Sequence, residues 1–183
     1  AGYTDSSYAS DSATTDAATI TEAILILQIG QSNVVGRGGA SAPDEISAPA
    51  LTKFFKTDTN TLATLADPVG VSGDYACATD RSMNPNLGKR VYELTGKPCI
   101  IIPVGKGNTG IDVWITTGNS EYTNALSRWN AAVAYCGANG ITILNKFAHW
   151  LQGENDAATA MATDTYLSKE NTMVDLLIAN FGV

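Results

Sequence analysis

Ser32 is the residue whose position most directly suggests chemistry. It follows an apolar run, residues 23–27, and a glycine, Gly30, within the sequence Gly-Gln-Ser-Asn. A short apolar run that ends in glycine is typical of a buried strand leading into a tight turn. Open α/β folds place their ligand crevice at the carboxyl ends of such strands. We therefore expect the Ser32 hydroxyl to be presented at a crevice, where it could act as a nucleophile.

Two other segments have the same design. The apolar run 98–104 leads into a glycine-rich stretch, residues 105–114, and the run 147–151 leads into residues 152–157. Parallel strands bring their carboxyl ends to one edge of a sheet. The sequence therefore predicts that all three loops meet at one site.

The segments between these runs have helical patterns. Apolar residues recur at helical spacing in residues 84–95, which end at Gly96, and in residues 120–137. Ser120 is the expected N-cap and Gly137 the expected C-cap of the second helix. The alternation of strands and helices predicts an α/β fold with right-handed crossovers. We expect a three-layer α/β/α sandwich around a central parallel sheet.

The three loops resemble the ordered sequence blocks of SGNH hydrolases. They read Gly-Gln-Ser-Asn, Gly-Asn-Thr-Gly-Ile-Asp-Val-Trp and Trp-Leu-Gln-Gly-Glu-Asn-Asp-Ala. They are most similar to the carbohydrate-esterase branch, which holds acetylxylan esterases and sialate O-acetylesterases and shows Gly-Gln-Ser-Asn, Gly-Gly-Thr-x-Ile-x-x-Trp and Gln-Gly-Glu-x-Asp. The resemblance covers residues 22–183. It implies a flavodoxin-like sheet and a serine esterase that removes O-acetyl groups from a polysaccharide through an acyl-enzyme.

The resemblance also implies roles for individual residues. Ser32 is the implied nucleophile, and Ser32 and Gly107 are implied members of the oxyanion hole. Gln152 is the implied side-chain donor of that hole. Asn155 is the alternative donor, because residues 153–156 also read as the Gly-x-Asn-Asp block of other SGNH enzymes. Four further residues are expected to bind substrate: Gln31, Asn108, Trp114 and Glu154.

Two of these residues carry open questions. Asn108 stands where the carbohydrate-esterase block usually has glycine, which affects the expected geometry of the local turn. Trp114 lies just past the glycine-rich loop. Its ring could stack on a sugar, or it could plug the edge of the sheet.

Ester hydrolysis explains why these residue types occur together. The reaction passes through a tetrahedral oxyanion, and each preorganised donor to that oxygen is worth roughly 3–4 kcal/mol. The serine must lose its proton as it attacks, so a histidine base oriented by an aspartate is expected. In the family this pair lies in an Asp-x-x-His block near the C-terminus. The sequence contains no such block.

His149 is the one histidine in the sequence, and it precedes the Gln-Gly-Glu block. It lies inside the third apolar run, which favours a structural, partly buried role. A relocated catalytic base is the alternative. A metal site would need further ligands, and there is no second histidine, so no metal and no other cofactor are expected.

The last helical pattern suggests why the block is missing. Residues 163–181 form an amphipathic pattern, with Tyr166, Met173, Leu177 and Phe181 on one face. An alternating α/β fold would continue with another strand. We expect the sequence to be a fragment, with the Asp-x-x-His block supplied by a longer chain or a partner segment. The alternative is a non-catalytic glycan-binding or structural module that keeps the hydrolase fold.

Composition limits the classes of partner. The chain of 183 residues carries 11 basic and 18 acidic residues, a net charge of −7. Nucleic acids and anionic membrane surfaces select basic faces, so neither is an expected partner. No apolar run approaches the about 20 residues of a membrane span. The charge suits a protein that acts on neutral sugars.

Residues 1–21 differ from the rest of the chain. They are rich in Ala, Ser, Thr and Asp, which is a linker composition. Such stretches resemble the connectors of phage tail fibres and tailspikes. This predicts an N-terminal arm on a domain of residues 22–183, an extracellular or virion-associated location, and a homotrimer.

Three cysteines occur without metal-type spacing. Cys99 lies in an apolar run and Cys136 on a helical face, so both are interpreted as small core residues. A disulfide from Cys77 to one of them remains an alternative.

Overall fold

Strands and helices alternate in the computed structural model, which describes residues 19–36, 50–70 and 81–183. The strands are β1 (Glu22–Gly30), β2 (Lys53–Lys56), β3 (Thr61–Thr64), β4 (Cys99–Gly105) and β5 (Thr142–Leu151). The helices are α1 (Ser32–Val35), α2 (Asn84–Thr95), α3 (Asp112–Ile115), α4 (Ser120–Ala138), α5 (Glu154–Ala158) and α6 (Thr163–Leu176). A π-helical turn, Leu177–Phe181, continues α6.

The five strands form one sheet in the order β3-β2-β4-β1-β5. Strands β2, β4, β1 and β5 are parallel, whereas β3 pairs antiparallel with β2. The predicted central parallel sheet is therefore present, and β3 adds one antiparallel strand at its edge. The cause is local: the short turn at 57–60, with Asn60 at φ 50°, has no room for a crossover and makes a hairpin.

The side chains of β1 and β4 alternate between two buried layers. Leu25 and Leu27 pack in one cluster with Trp129 of α4, and Ile24 and Ile26 pack in a second cluster against α2. We call these two surfaces of the sheet the α4 face and the α2 face. Helices on both faces explain why β1 and β4 are apolar at nearly every position. The predicted α/β fold with helices on both sides of the sheet is confirmed.

The helices agree with the sequence patterns except at the ends of α4. Helix α2 spans the predicted residues and ends at Gly96, which has φ 66°. The N-cap of α4 is Asn119, whose side chain accepts the N–H of Glu121 at 3.1 Å, so the prediction of Ser120 is wrong. The helix also runs through Gly137 and turns at Gly140, with φ 68°. The adjacent asparagine is an equally good cap, and it fits the geometry here.

The C-terminal helix contributes directly to the core. Met173, Leu177 and Phe181 are buried on the α4 face, as their spacing predicted. The indole Nε1 of Trp129 donates to the carbonyl of Phe181 at 2.9 Å. This bond fixes the end of the π-helical turn against α4.

Parts of the other predictions lie outside the described residues. These include residues 1–18 of the predicted arm and Cys77. Ile20 packs in the α4-face cluster, and the N–H of Thr142 donates to the carbonyl of Thr21 at 2.8 Å. Cys99 and Cys136 are free and buried, as expected of core residues.

Candidate active site

The carboxyl ends of β1, β4 and β5 meet at one edge of the sheet. Gly30 is the register partner of both Gly105 and Leu151. Beyond the strands, the N–H of Lys106 donates to the carbonyl of Gly30 at 2.9 Å, and the N–H of Gln31 donates to the carbonyl of Leu151 at 3.1 Å. The prediction that the three loops converge is confirmed.

Close backbone packing positions Ser32 at this edge. A Cβ on Gly30 would lie 2.0 Å from the carbonyl oxygen of Leu151, and Gly30 has φ 143°, so only glycine fits. The N–H groups of Val34 and Val35 donate to the carbonyl of Gln31 at 3.0 and 3.3 Å, which forms the short helix α1. Both valines are buried, whereas Ser32 at the start of α1 is partly exposed. The turn therefore presents Ser32 while its neighbours anchor it.

Gln31 links the serine turn to the third loop. Its side chain is 4% exposed. Its Oε1 accepts the backbone N–H of Asn155 at 3.1 Å and the amide Nε2 of Gln152 at 3.3 Å. The prediction that Gln31 binds substrate is therefore wrong, because its side chain is enclosed and its oxygen is already bonded. It holds two loops together.

Gln152 lies at the centre of a hydrogen-bond network. Its Nε2 is within bonding distance of three acceptors: the carbonyl of Thr109 at 3.0 Å, Gln31 Oε1, and a carboxylate oxygen of Asp156. The hydroxyl of Tyr166 lies 2.8 Å from the carbonyl of Gln152 and 3.0 Å from its Oε1. An amide NH₂ has only two hydrogens. The donor capacity of Gln152 is therefore already used within the protein.

Asp156 connects the second loop to the third, a role that the sequence analysis missed. Its side chain is 3% exposed, and its two oxygens lie 3.0 and 3.2 Å from the N–H of Ile111. It also accepts the amide of Gln152. A Cβ on Gly110 would lie 3.0 Å from Asp156 Oδ1, so the backbone approaches the carboxylate closely. The sequence did contain an indication of this role, because Asp156 is the aspartate of the Gln-Gly-Glu-x-Asp block.

Tyr166 closes this network from α6. Burial raises the pKa of its hydroxyl, which keeps it protonated and able to donate. A Cβ on Gly153 would lie 3.2 Å from the Tyr166 oxygen, and Gly153 has φ 136°, so a glycine is needed for the loop to pass the phenol. The helical pattern predicted that Tyr166 lies on the core-facing side of its helix, and it did not indicate any polar function for the hydroxyl.

Asn155, Glu154 and Asn33 form the more open part of the site. Asn155 is partly exposed, and a Cβ on Gly110 would lie 3.5 Å from its Nδ2. Glu154 is exposed, and its Oε1 accepts the side-chain amide of Asn33, the residue after Ser32. These side chains lie at the rim, where a substrate could reach them.

The second loop supplies Gly107 and Asn108. Gly107 is partly exposed and Asn108 is exposed, with φ 60°. Asparagine is one of the few residues other than glycine that adopt this left-handed conformation readily. The replacement of the usual glycine by Asn108 therefore leaves the turn intact.

Trp114 lies in the core beneath the second loop. It is 0% exposed, its Nε1 donates to Thr109 Oγ1 at 3.1 Å, and it packs edge-to-face on Trp150 at 6.2 Å between ring centroids. The prediction that Trp114 binds substrate by stacking on a sugar is therefore wrong. Its indole supports the loop from below, which agrees with the alternative that it plugs the sheet edge.

His149 lies within β5, opposite Gln28 of β1. By strand alternation it belongs to the α2 face, with Phe147. It is partly buried, and this burial lowers the pKa of its imidazole. Its Nδ1 has no hydrogen-bond partner among the residues that the structure describes. These features support the structural interpretation of His149.

A metal site and a membrane-spanning helix are two other features that would indicate function. Within residues 19–36, 50–70 and 81–183, no group of three or more His, Cys, Asp or Glu side chains could hold a metal ion. In the same part of the chain, no helix has the length and apolar character required to cross a membrane.

Comparison with solved structures places the fold among known ones. A protein from Arabidopsis thaliana, solved by X-ray crystallography, matches with a TM-score of 0.72 and 19% sequence identity. The match covers 88% of this chain and 70% of the plant chain. At this identity the likeness concerns the fold alone. Among curated proteins, none matches the chain.

A family comparison places the sequence more specifically. The model of a family described as carbohydrate esterase, sialic acid-specific acetylesterase, matches residues 22–182. It confirms the resemblance to carbohydrate esterases, whereas the likeness to tailspikes stays a prediction. The family acts on esters, and its model spans almost all of the predicted domain. The chain thus belongs to the sialic acid-specific acetylesterase family of carbohydrate esterases.

Proposed function

We propose that this protein is a serine esterase that removes O-acetyl groups from a polysaccharide. The observation that carries the proposal is the meeting of three loops beside Ser32 in a chain that belongs to a family of carbohydrate esterases. Ser32 is the nucleophile in this proposal. Its oxygen bonds to the acetyl carbonyl carbon, its proton passes to a base, and the sugar oxygen leaves with a proton. Water then hydrolyses the acetyl-serine by the same route.

The oxyanion hole combines backbone and side-chain donors. The N–H groups of Ser32 and Gly107 are the backbone donors. For the side chain we favour Asn155 over Gln152, which reverses the preference based on the sequence. Three acceptors already compete for the two hydrogens of the Gln152 amide, whereas Asn155 is partly exposed and its backbone is fixed by Gln31. Gln152 is then a positioning residue.

The base is proposed to come from outside the 183 residues. His149 belongs to the α2 face of β5, and burial lowers the pKa of its ring, which weakens it as a base. An Asp-x-x-His segment in a longer chain, or in a partner, would supply the histidine and the aspartate that orients it. Without a base, a triad enzyme retains only roughly 10³–10⁴-fold catalysis over water.

Substrate contacts are proposed for the rim. Glu154 and Asn108 are exposed beside the loops that carry Ser32 and Gly107. A carboxylate and an amide suit the hydroxyl groups of a sugar.

Acetate release and serine labelling test this function together. Acetate is measured from an acetylated xylan with the 183-residue chain and with a form that extends past Val183. The extended form is expected to be faster by several orders of magnitude. A fluorophosphonate should add one equivalent to the extended form by intact-mass spectrometry, and S32A should remove both labelling and turnover. Labelling that persists in S32A would contradict the assignment of the nucleophile.

A non-catalytic glycan-binding module is the second candidate, favoured by the absence of an Asp-x-x-His block from the sequence. It predicts that both forms bind the polysaccharide without releasing acetate, and that S32A binds as tightly as the wild type. Full activity of the 183-residue chain, abolished by H149A, would show instead that the site uses its own histidine.

A further inference from the structure

An ion pair joins helix α6 to the short helix α3, which follows the second loop. The ammonium nitrogen of Lys169 lies 2.7 Å from each carboxylate oxygen of Asp112. The side chain of Lys169 is 25% exposed and that of Asp112 is 63% exposed. Because Asp112 is the first residue of α3, the ion pair connects α6 to the end of the loop that carries Gly107.

The sequence of α6 favours a partner for Lys169 on another element. Lys169 is the one basic residue of this helix, whose acidic residues are Asp164, Glu170 and Asp175. Side chains that are neighbours on a helix surface come from residues three or four positions apart. None of the three acids has that spacing from Lys169, so its ion pair is made between helices rather than within α6.

Tyr166 lies one turn before Lys169 on α6 and contacts the third loop. Its hydroxyl lies 2.8 Å from the carbonyl of Gln152. Residues three positions apart lie on the same face of a helix. One face of α6 therefore contacts the third loop through Tyr166 and the end of the second loop through Lys169.

Contacts between the two loops complete a closed ring. Ile111, the residue before Asp112, donates its N–H to the buried carboxylate of Asp156, whose oxygens lie 3.0 and 3.2 Å away. The same carboxylate accepts the amide of Gln152. The ring thus runs from α6 to the second loop, from there to the third loop, and back to α6. It fixes the separation of the two loops from outside.

We propose that Lys169 is a positioning residue for the esterase reaction. It acts through Asp112, which it holds so that the second loop keeps the N–H of Gly107 aimed at the oxyanion beside Ser32. This inference rests on the proposed function, because Gly107 is an oxyanion donor only in that reaction. Such donors must be preorganised, and a displacement of about 1 Å can cost on the order of 10²-fold in rate.

The exposure of the ion pair separates this role from a contribution to overall stability. Ion pairs with exposed members add little to the stability of a protein, and salt screens them. Loss of the charge on Lys169 should therefore lower kcat while the melting temperature stays nearly constant. A residue with a merely structural role would instead lower the melting temperature, without a specific effect on kcat.

Kinetics with acetylated xylan test this role in a form of the protein that releases acetate. K169M should lower kcat on the order of 10-fold with little change in KM. K169R keeps the positive charge and should recover most of the rate. K89M is the matched control, because Lys89 forms an ion pair with Glu93 within α2, and it should equal the wild type.

A double-mutant cycle tests whether Lys169 acts through Asp112. D112N should lower kcat about as much as K169M does. Because both variants remove the same interaction, the double variant should be no slower than either single variant.

Hydrogen exchange followed by NMR tests the contact independently of catalysis. In the 183-residue chain, the amide of Ile111 should exchange on the order of 10-fold faster in K169M than in the wild type. The amide of Ile101 in β4 is the internal control and should not change. If no form releases acetate, the esterase function is wrong, and faster exchange of Ile111 still shows that Lys169 fixes the loop.

Three results would each overturn the proposal. The first is a kcat of K169M equal to that of the wild type. The second is unchanged exchange of the Ile111 amide in K169M. The third is a double variant in which the losses from K169M and D112N add, which would show that the two residues act separately.

Discussion

Two inner strands of the sheet, β1 and β4, and the edge strand β5 differ in how completely they are enclosed. In β1 and β4 almost every side chain is buried, and the loops after them are joined by a network through Gln31, Gln152 and Asp156. In β5 no side chain is fully buried. The loops with Ser32 and Gly107, the proposed nucleophile and backbone donor, therefore follow enclosed strands, whereas the loop with Asn155, the proposed side-chain donor, follows a partly exposed strand.

The largest difference is expected between two isoleucine truncations, one in a buried strand and one on the exposed surface. I101A in β4 removes a side chain that is 0% exposed and should lower the free energy of unfolding by about 4 kcal/mol, within the range for aliphatic truncations in cores. I178A, at a 59% exposed isoleucine of the π-helical turn, should change it by less than about 0.5 kcal/mol. Urea denaturation of the 183-residue chain measures both. Equal losses would mean that Ile178 is packed as tightly as Ile101.

The next effect concerns the choice of oxyanion donor. In a form that turns over acetyl esters, N155A should lower kcat by roughly 10²-fold with little change in KM, as expected for a donor used only in the transition state. Q152A removes a link between loops, so it should lower thermal stability as well as activity. If N155A is near wild type while Q152A loses kcat without loss of stability, the donor is Gln152.

Local patterns were sufficient to predict much of the scaffold. The helix at residues 84–95 and the buried stripe with Met173 follow from periodicity over a few turns, which depends on nearby residues. The burial of Trp114 could not be predicted in this way, since it depends on Trp150, a partner 36 positions further along the chain. The network of Asp156 likewise depends on contacts between loops that only the folded sheet brings together.

A smaller effect is expected from removing the Tyr166 hydroxyl, which bonds to Gln152 in the network between the loops. Y166F removes the donor to Gln152 and should lower the free energy of unfolding by about 1 kcal/mol. Y92F, at a tyrosine on α2, is the matched control and should have no measurable effect. Because Tyr166 acts through Gln152, a fall in kcat for Y166F would support the network as a positioning device. An unchanged melting temperature in Y166F would show that water can replace the Tyr166 hydroxyl as the partner of Gln152 without loss of stability.

The smallest expected effect is the contribution of His149, on the partly exposed strand β5, to the pH dependence of stability. Burial lowers the pKa of this imidazole below its ordinary value of 6.5, so the folded state binds its proton less readily than the unfolded state. The stabilising contribution is therefore present above pH 6.5 and is lost as pH falls through the lower pKa of the folded state. H149Q should reduce the slope of stability against pH in that window. An NMR titration of the ring in the folded protein measures the pKa, and a value of 6.5 or higher would contradict the expected effect of burial.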